Sequence, residues 1–169
     1  MIYNTNLQPL PTNAEELERC LADPVWRIFS GCLYKIKIKG DDFVNELGQV
    51  EEAPTFELPF QPNDAQKKFL NRLWYRNIIL KARQLGFTTL ICILWLDHAL
   101  FNANQHCGVI AQNLETVGDI FSDKIKLAYD NLPPEILERV PLKTKNGTER
   151  EFAHNGSKIS VATSFRGDT

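Results

Sequence analysis

No stretch of this sequence is apolar for long enough to cross a bilayer. The longest such run, LICILWLDHALF over residues 90–101, is interrupted by Asp97 and His98 and falls short of the roughly 20 residues a spanning helix needs. A core helix buried on most sides is the expectation for it. The four cysteines, Cys20, Cys32, Cys92 and Cys107, form no CxxC pair, and no basic, apolar leader precedes them. That argues against a disulfide framework and for the reduced thiols of a cytosolic protein, with Cys92 and Cys107 packed as small hydrophobes. His98, His106 and His154 share no ligand spacing with the cysteines, so no metal cage is expected from them. Charge of one sign is lacking too. A net charge of −2 leaves no global footprint for nucleic acid, so any DNA contact is local or lies outside the chain. Internal repeats and low-complexity tracts are absent.

What is present is enough apolar residue for one core, 43% of 169 residues. Thr12 and Glu15 have capping-box spacing at the head of a helix through AEELERCL. Asp23 with Pro24 ends that helix and opens a short one near VWRIF. YKIKIKG then alternates Ile36 and Ile38 with Lys35, Lys37 and Lys39, the pattern of a half-solvated strand, with Gly40 and Asp41 as a hairpin turn. Its lysines suit either a nucleic-acid groove or a guard against edge pairing. Residues 46–59 are acidic, proline-bearing and aperiodic, the character of a linker between an N-terminal segment (1–58) and a main domain (59–169).

From Pro62 the pattern becomes α/β. NDAQKKFLNRLW predicts an amphipathic helix capped by Asn63 or Asp64, with Phe69, Leu70, Leu73 and Trp74 facing inward. A strand NIILKA, the buried helix, a strand CGVIAQ and a long helix over 114–131 follow. That alternation implies a mainly parallel sheet covered on both sides by helices. Pro133 and Pro134 start a short helix through EILERV. REFAH and SKISVATSF, joined at Asn155 and Gly156, read as a hairpin.

Between the first strand and the buried helix lies KARQLGFTT, residues 81–89. A phosphate loop occupies that position: backbone N–H groups wrap the phosphates, a lysine neutralises them and a hydroxyl sits on Mg²⁺. The usual spacing is Gly, four residues, Gly, Lys, then Ser or Thr. Counted back from Gly86, the first glycine is replaced by Lys81 and the lysine by Phe87, while Thr88 keeps the hydroxyl. Because such a loop folds back on itself, a cation at its first position reaches the space the usual lysine fills. Lys81 is therefore the candidate for a relocated phosphate-binding lysine. An ordinary strand-to-helix turn is the alternative on pattern alone.

FQPNDAQKKFL, WYRNIILKARQLGFTTL, GVIAQN followed by DKIKLAYDNLP, and NGSKISVATSFRG occur in an order that resembles the motor domain of large terminase subunits from tailed bacteriophages and prophages. The resemblance runs from about residue 26 to 169, with KARQLGFTT its most specific part. It implies a P-loop NTPase core of the additional-strand, RecA-like and helicase-like class, preceded by a small helical and hairpin segment, and a motor that drives viral DNA into a procapsid. Implied ligands are ATP and Mg²⁺. Lys81, Ala82, Arg83, Gln84, Leu85, Gly86, Phe87, Thr88 and Thr89 would form the nucleotide cradle, with Thr88 on the metal side. Lys81 and Arg83 would be the catalytic cations, Arg83 aimed at the γ-phosphate. Gln66 would contact the adenine, and Phe60 or Trp74 could stack on it. Bland readings stand beside these: Arg83 paired with an acid, Gln66 solvated, Trp74 in the core. Implied partners are double-stranded DNA, the portal protein and the small terminase subunit in the bacterial host cytoplasm, without a membrane and as a homo-oligomer only in the assembled motor.

One departure matters. Hydrolysis in this class needs an aspartate and a glutamate on a later apolar strand, and no such strand follows the loop. The chain is expected to stop short of those carboxylates and of the nuclease domain, and to turn nucleotide over negligibly by itself. Two other classes stay open: another helicase-like ATPase, and a non-enzymatic interaction module with a vestigial loop.

Overall fold

The computed structural model describes residues 7–40, 43–44, 49–51, 53–80 and 84–164. Helix α1 (Ala14–Ala22) starts at Asn13, whose carboxamide oxygen accepts from the N–H groups of Glu15 and Glu16 at 2.9 and 3.3 Å. The Thr12–Glu15 capping box is thus not formed, because Asn13 already takes the first-turn amides. Asp23 accepts from the Val25 N–H at 2.8 Å and Pro24 opens α2 (Pro24–Phe29), as the sequence suggested.

Strand β1 (Lys35–Lys39) carries its lysines outward and pairs antiparallel with β4 (Thr55–Pro59), Lys37 opposite Glu57. The short pair β2 (Phe43–Val44) and β3 (Val50–Glu51) is nested between them. Much of the expected linker is therefore sheet. Phe56 and Leu58 sit in register with Ile38 and Ile36; the surrounding prolines and acids hid that alternation. Gly40 extends the ladder by donating to the Pro54 carbonyl at 3.2 Å, and Asp41, its expected turn partner, lies outside the described residues.

Helix α3 (Asp64–Leu70) is shorter than its apolar stripe suggested. Asn71 caps it, so Leu73 and Trp74 leave the helical period and are exposed, while Phe69 and Leu70 pack against the core. Helix α4 (Phe87–Phe101) is the centre of the molecule, with Leu90, Cys92, Ile93, Leu96, Ala99 and Leu100 all buried. Strand β5 (His106–Ala111) follows. Then comes a helical stack of α5 (Leu114–Ile120), a π-helical turn (Phe121–Lys126) and α6 (Leu127–Asp130), in place of one regular helix over 114–131. Helix α7 (Pro134–Leu137) begins at the expected proline pair.

Strands β6 (Leu142–Lys145), β7 (Glu149–Phe152) and β8 (Lys158–Thr163) complete the larger sheet in the order β5-β8-β7-β6. The β7–β8 hairpin turns at Gly156, whose φ of +69° favours a residue without a Cβ. The α/β class holds, but the sheet is mixed: β5–β8 is parallel, β8–β7 and β7–β6 antiparallel. Helical cover on both faces is also not seen among the described residues. Along β5 burial alternates, Cys107 and Ala111 inward and His106 and Ile110 outward, the signature of a sheet with one wet face.

A buried ion pair joins α2 to the central helix α4. Arg27 of α2 grips Asp97 of α4 through Nε and Nη2, both at 2.8 Å, and Tyr34 donates to the same carboxylate at 2.7 Å. The guanidinium also lies 4.2 Å from the Phe101 ring centroid. Among the described residues no helix is long and apolar enough to cross a membrane.

Candidate functional site

The segment ahead of the loop was expected as a strand. Residues 77–80 instead form no strand or helix, with Ile78 and Leu80 91% and 94% exposed and only Ile79 turned against the core. A strand needs a partner for its backbone groups, and among the described residues this segment has none. Lys81, Ala82 and Arg83 lie outside the described residues.

The rest of the loop is set by two left-handed residues. Gln84 has φ +66° and Gly86 φ +67°, while Leu85 between them is not in that region, so the chain curls with alternating sign. Alternating φ signs occur in anion-binding nests, where successive N–H groups turn to one side. Gly86 is the N-cap of α4 and provides no side chain to satisfy the helix's first amides. Thr88 is exposed and Thr89 half-buried in that first turn. Phe87, at the position where the common pattern has lysine, points into the core and meets Phe69 edge-on at 5.6 Å. Its burial accounts for the missing cation: a lysine there would have to be desolvated.

Gln66 is 4% exposed, not solvated. Its Oε1 accepts from the Asn63 N–H at 2.9 Å in a complete capping box, and its Nε2 donates to the carbonyls of Leu85 at 3.3 Å and Gly86 at 2.9 Å. Asn63 adds a second donor to Leu85 O at 3.3 Å. The head of α3 therefore clamps the loop. The sequence offered Asn63 as a cap but carried no local sign of this reach across 22 residues. Of the two stacking candidates, Phe60 is buried at 2% exposure, whereas Trp74 is 70% exposed beside Tyr75.

A groove of about 260 Å³ runs beside the loop between Ile79, the first turns of α4 and Val109. A larger cleft of about 430 Å³ lies at the other end of α4, lined by Leu100, Phe101, Arg139 and His154. Its polar groups are occupied, Arg139 with Glu18 and His154 with the Leu100 carbonyl, so chemistry favours the loop over the larger space. The head of this 15-residue helix has no side-chain cap, and a Cβ at Gly86 would stand 2.9 Å from Gln66 Nε2, so the glycine makes room for that amide.

Compared with known protein families and with characterised proteins, the chain matches none.

Proposed function

We propose that the chain is a nucleotide-binding part of a viral DNA-packaging motor of the terminase large-subunit kind, built on a P-loop NTPase core. The observation that carries the reading is the uncapped helix α4 entered through two left-handed loop residues, at the position where KARQLGFTT predicts a phosphate loop. Backbone N–H groups over residues 84–89 would hold the phosphates of ATP, Thr88 would face Mg²⁺, and Lys81 and Arg83 would supply the positive charge. The metal, when bound, screens the phosphate oxygens. Double-stranded DNA, a portal and a small terminase subunit are the partners of such a motor in the host cytoplasm.

Titration with a fluorescent ATP analogue and Mg²⁺ tests the reading: saturable binding is expected, weakened at least about tenfold by Lys81→Ala, since one lost charge-assisted contact is about 1.5–3 kcal/mol. Turnover is expected to be negligible, because no apolar strand ending in paired acids occurs in the sequence. Steady-state phosphate release that Lys81→Ala abolishes would contradict that part.

One observation favours the interaction module instead. Trp74, Tyr75, Ile78 and Leu80 are all exposed apolar side chains within seven residues of one another, the first two in ring contact. Absence of saturable nucleotide binding in wild type, with Lys81→Ala indistinguishable from it, would favour this second reading.

A further inference from the structure

We infer that the open edge of the larger sheet is a docking slot for one added β-strand, an extended segment of a partner polypeptide with apolar side chains on its inward face. The slot is independent of the phosphate loop. Strand β5 ends the sheet order among the described residues, and its bonds to β8 fix which way each peptide group points. The carbonyls of Gln105 and Ala111 accept from the Lys158 and Ser164 N–H groups at 2.7 and 3.2 Å. Along a strand the backbone groups alternate in direction, and the N–H and C=O of one residue share a side. Cys107 and Val109 therefore face β8 as Gln105 and Ala111 do, and His106, Gly108 and Ile110 turn their N–H and C=O groups to the open edge.

Other strand edges of this chain are guarded, and this one is not. β1 carries Lys35, Lys37 and Lys39, β4 carries Glu57 and Pro59, and β6 carries Lys143 and Lys145 with a register shift after Leu142. Lysine, proline and bulges discourage pairing at an edge. HCGVIA holds no Lys, Arg, Asp, Glu or Pro and keeps six residues in unbroken register with β8. A Cβ at Gly108 would meet nothing within 4 Å, so packing inside the chain does not call for this glycine. A mid-strand glycine outside a bulge or bend marks a place where another backbone comes close.

The side chains beside the edge fit the same occupant. On the α4 side of the sheet, the groove of about 260 Å³ is bounded by Val109, Ile79 and the α4 residues Phe87, Ile91 and Cys92, and among the described residues no charged side chain lines it. A strand laid along β5 would send every second side chain into this groove and cover Val109, which is only half-buried. Those side chains have to be apolar, because a charge there would be desolvated without a partner. With Ile79 also lining the groove, the space beside β5 is bounded. That suits one extended chain better than a second copy, whose own β8 and helices would follow behind its edge.

The test is amide hydrogen exchange of the whole chain with a blocked synthetic peptide in which valine alternates with threonine between terminal lysines. Two further peptides are N-methylated, one on the valine amides and one on the threonine amides. In a docked strand one of these sets faces β5 and the other faces away, and the protein itself needs no substitution. The expected result is exchange at His106, Gly108 and Ile110 slowed at least about tenfold by the unmodified peptide, with Cys107 and Val109 changed less. One methylated peptide should keep this protection and the other should lose it, and which one does so reports whether the strand docks parallel or antiparallel. No slowing at millimolar peptide, or protection kept by both methylated forms or lost by both, would overturn the slot. Dimerisation of the chain alone that protects the same three amides would make the occupant a second copy and overturn the partner strand.

Discussion

At the scale of single residues, the phenylalanine that stands at 87 has a cause in packing. Phe87 faces inward against Phe69, so writing lysine back with Phe87→Lys should not restore a better site. It should cost roughly 3–5 kcal/mol of stability, the range for emptying a buried aromatic position, read by urea denaturation. Gly86 has both a positive φ and the Gln66 amide at 2.9 Å from a would-be Cβ. Gly86→Ala should lose about 1–2 kcal/mol, the cost of a left-handed non-glycine residue, read by the same urea denaturation. The spacing of KARQLGFTT put a turn ahead of the buried helix, and Gly86 is the N-cap of α4. The clamp was not legible in the sequence, because Gln66 and Asn63 meet the Leu85 carbonyl only after the chain between them has folded.

Elements show a different kind of coupling. The two polar residues that interrupt the apolar run, Asp97 and His98, are visible in the sequence, but their partners are not. Asp97 is held by Arg27 and Tyr34 from 70 and 63 residues away. Removing one member leaves a buried charge uncompensated. Asp97→Asn should therefore cost about 3–5 kcal/mol, whereas replacing the pair together, Arg27→Met with Asp97→Leu, should cost less, about 1–3 kcal/mol for the Tyr34 hydroxyl left without its acceptor. Chemical denaturation of both variants checks this, and equal losses in the single and double variants would contradict it. Such a link binds the N-terminal helices to the helix that carries the loop. The helix starts after Asp23 and Asn63 were readable because capping is local. The lengths of α3 and of the expected strand NIILKA were not, since those depend on what the rest of the chain sets against them.

For the whole molecule, burial sets the alkaline limit of stability. Burial pushes the Cys92 thiol from its ordinary 9.0 up to about 11, and burial followed by the Asp97 charge raises the Tyr34 phenol well above 10. Both groups are neutral in the folded state over a range where the unfolded chain ionises them. Their contribution is complete below pH 9 and is lost as pH rises, Cys92 between about 9 and 11 and Tyr34 from about 10 upward. The slope is up to about 1.4 kcal/mol per pH unit for each group. Melting temperature measured from pH 8 to 11 should fall beyond 9, and Cys92→Ala should flatten the first part of that fall. An unchanged profile in that variant would rule the thiol out.

The sequence by itself determined what depends on neighbours in the chain: the caps at Asp23 and Asn63, the stretches that become α4, β5 and the β7–β8 hairpin, and a loop without a lysine at its usual place. Only the tertiary structure decided that the sheet is mixed with one wet face, that residues 55–59 pair with the lysine strand, and that the Gln66 amide is spent on the loop. The physical reason is range. Capping and periodicity act over a few residues, whereas strand partners, buried charges and the orientation of a peptide carbonyl are settled by groups that meet only when the core has closed.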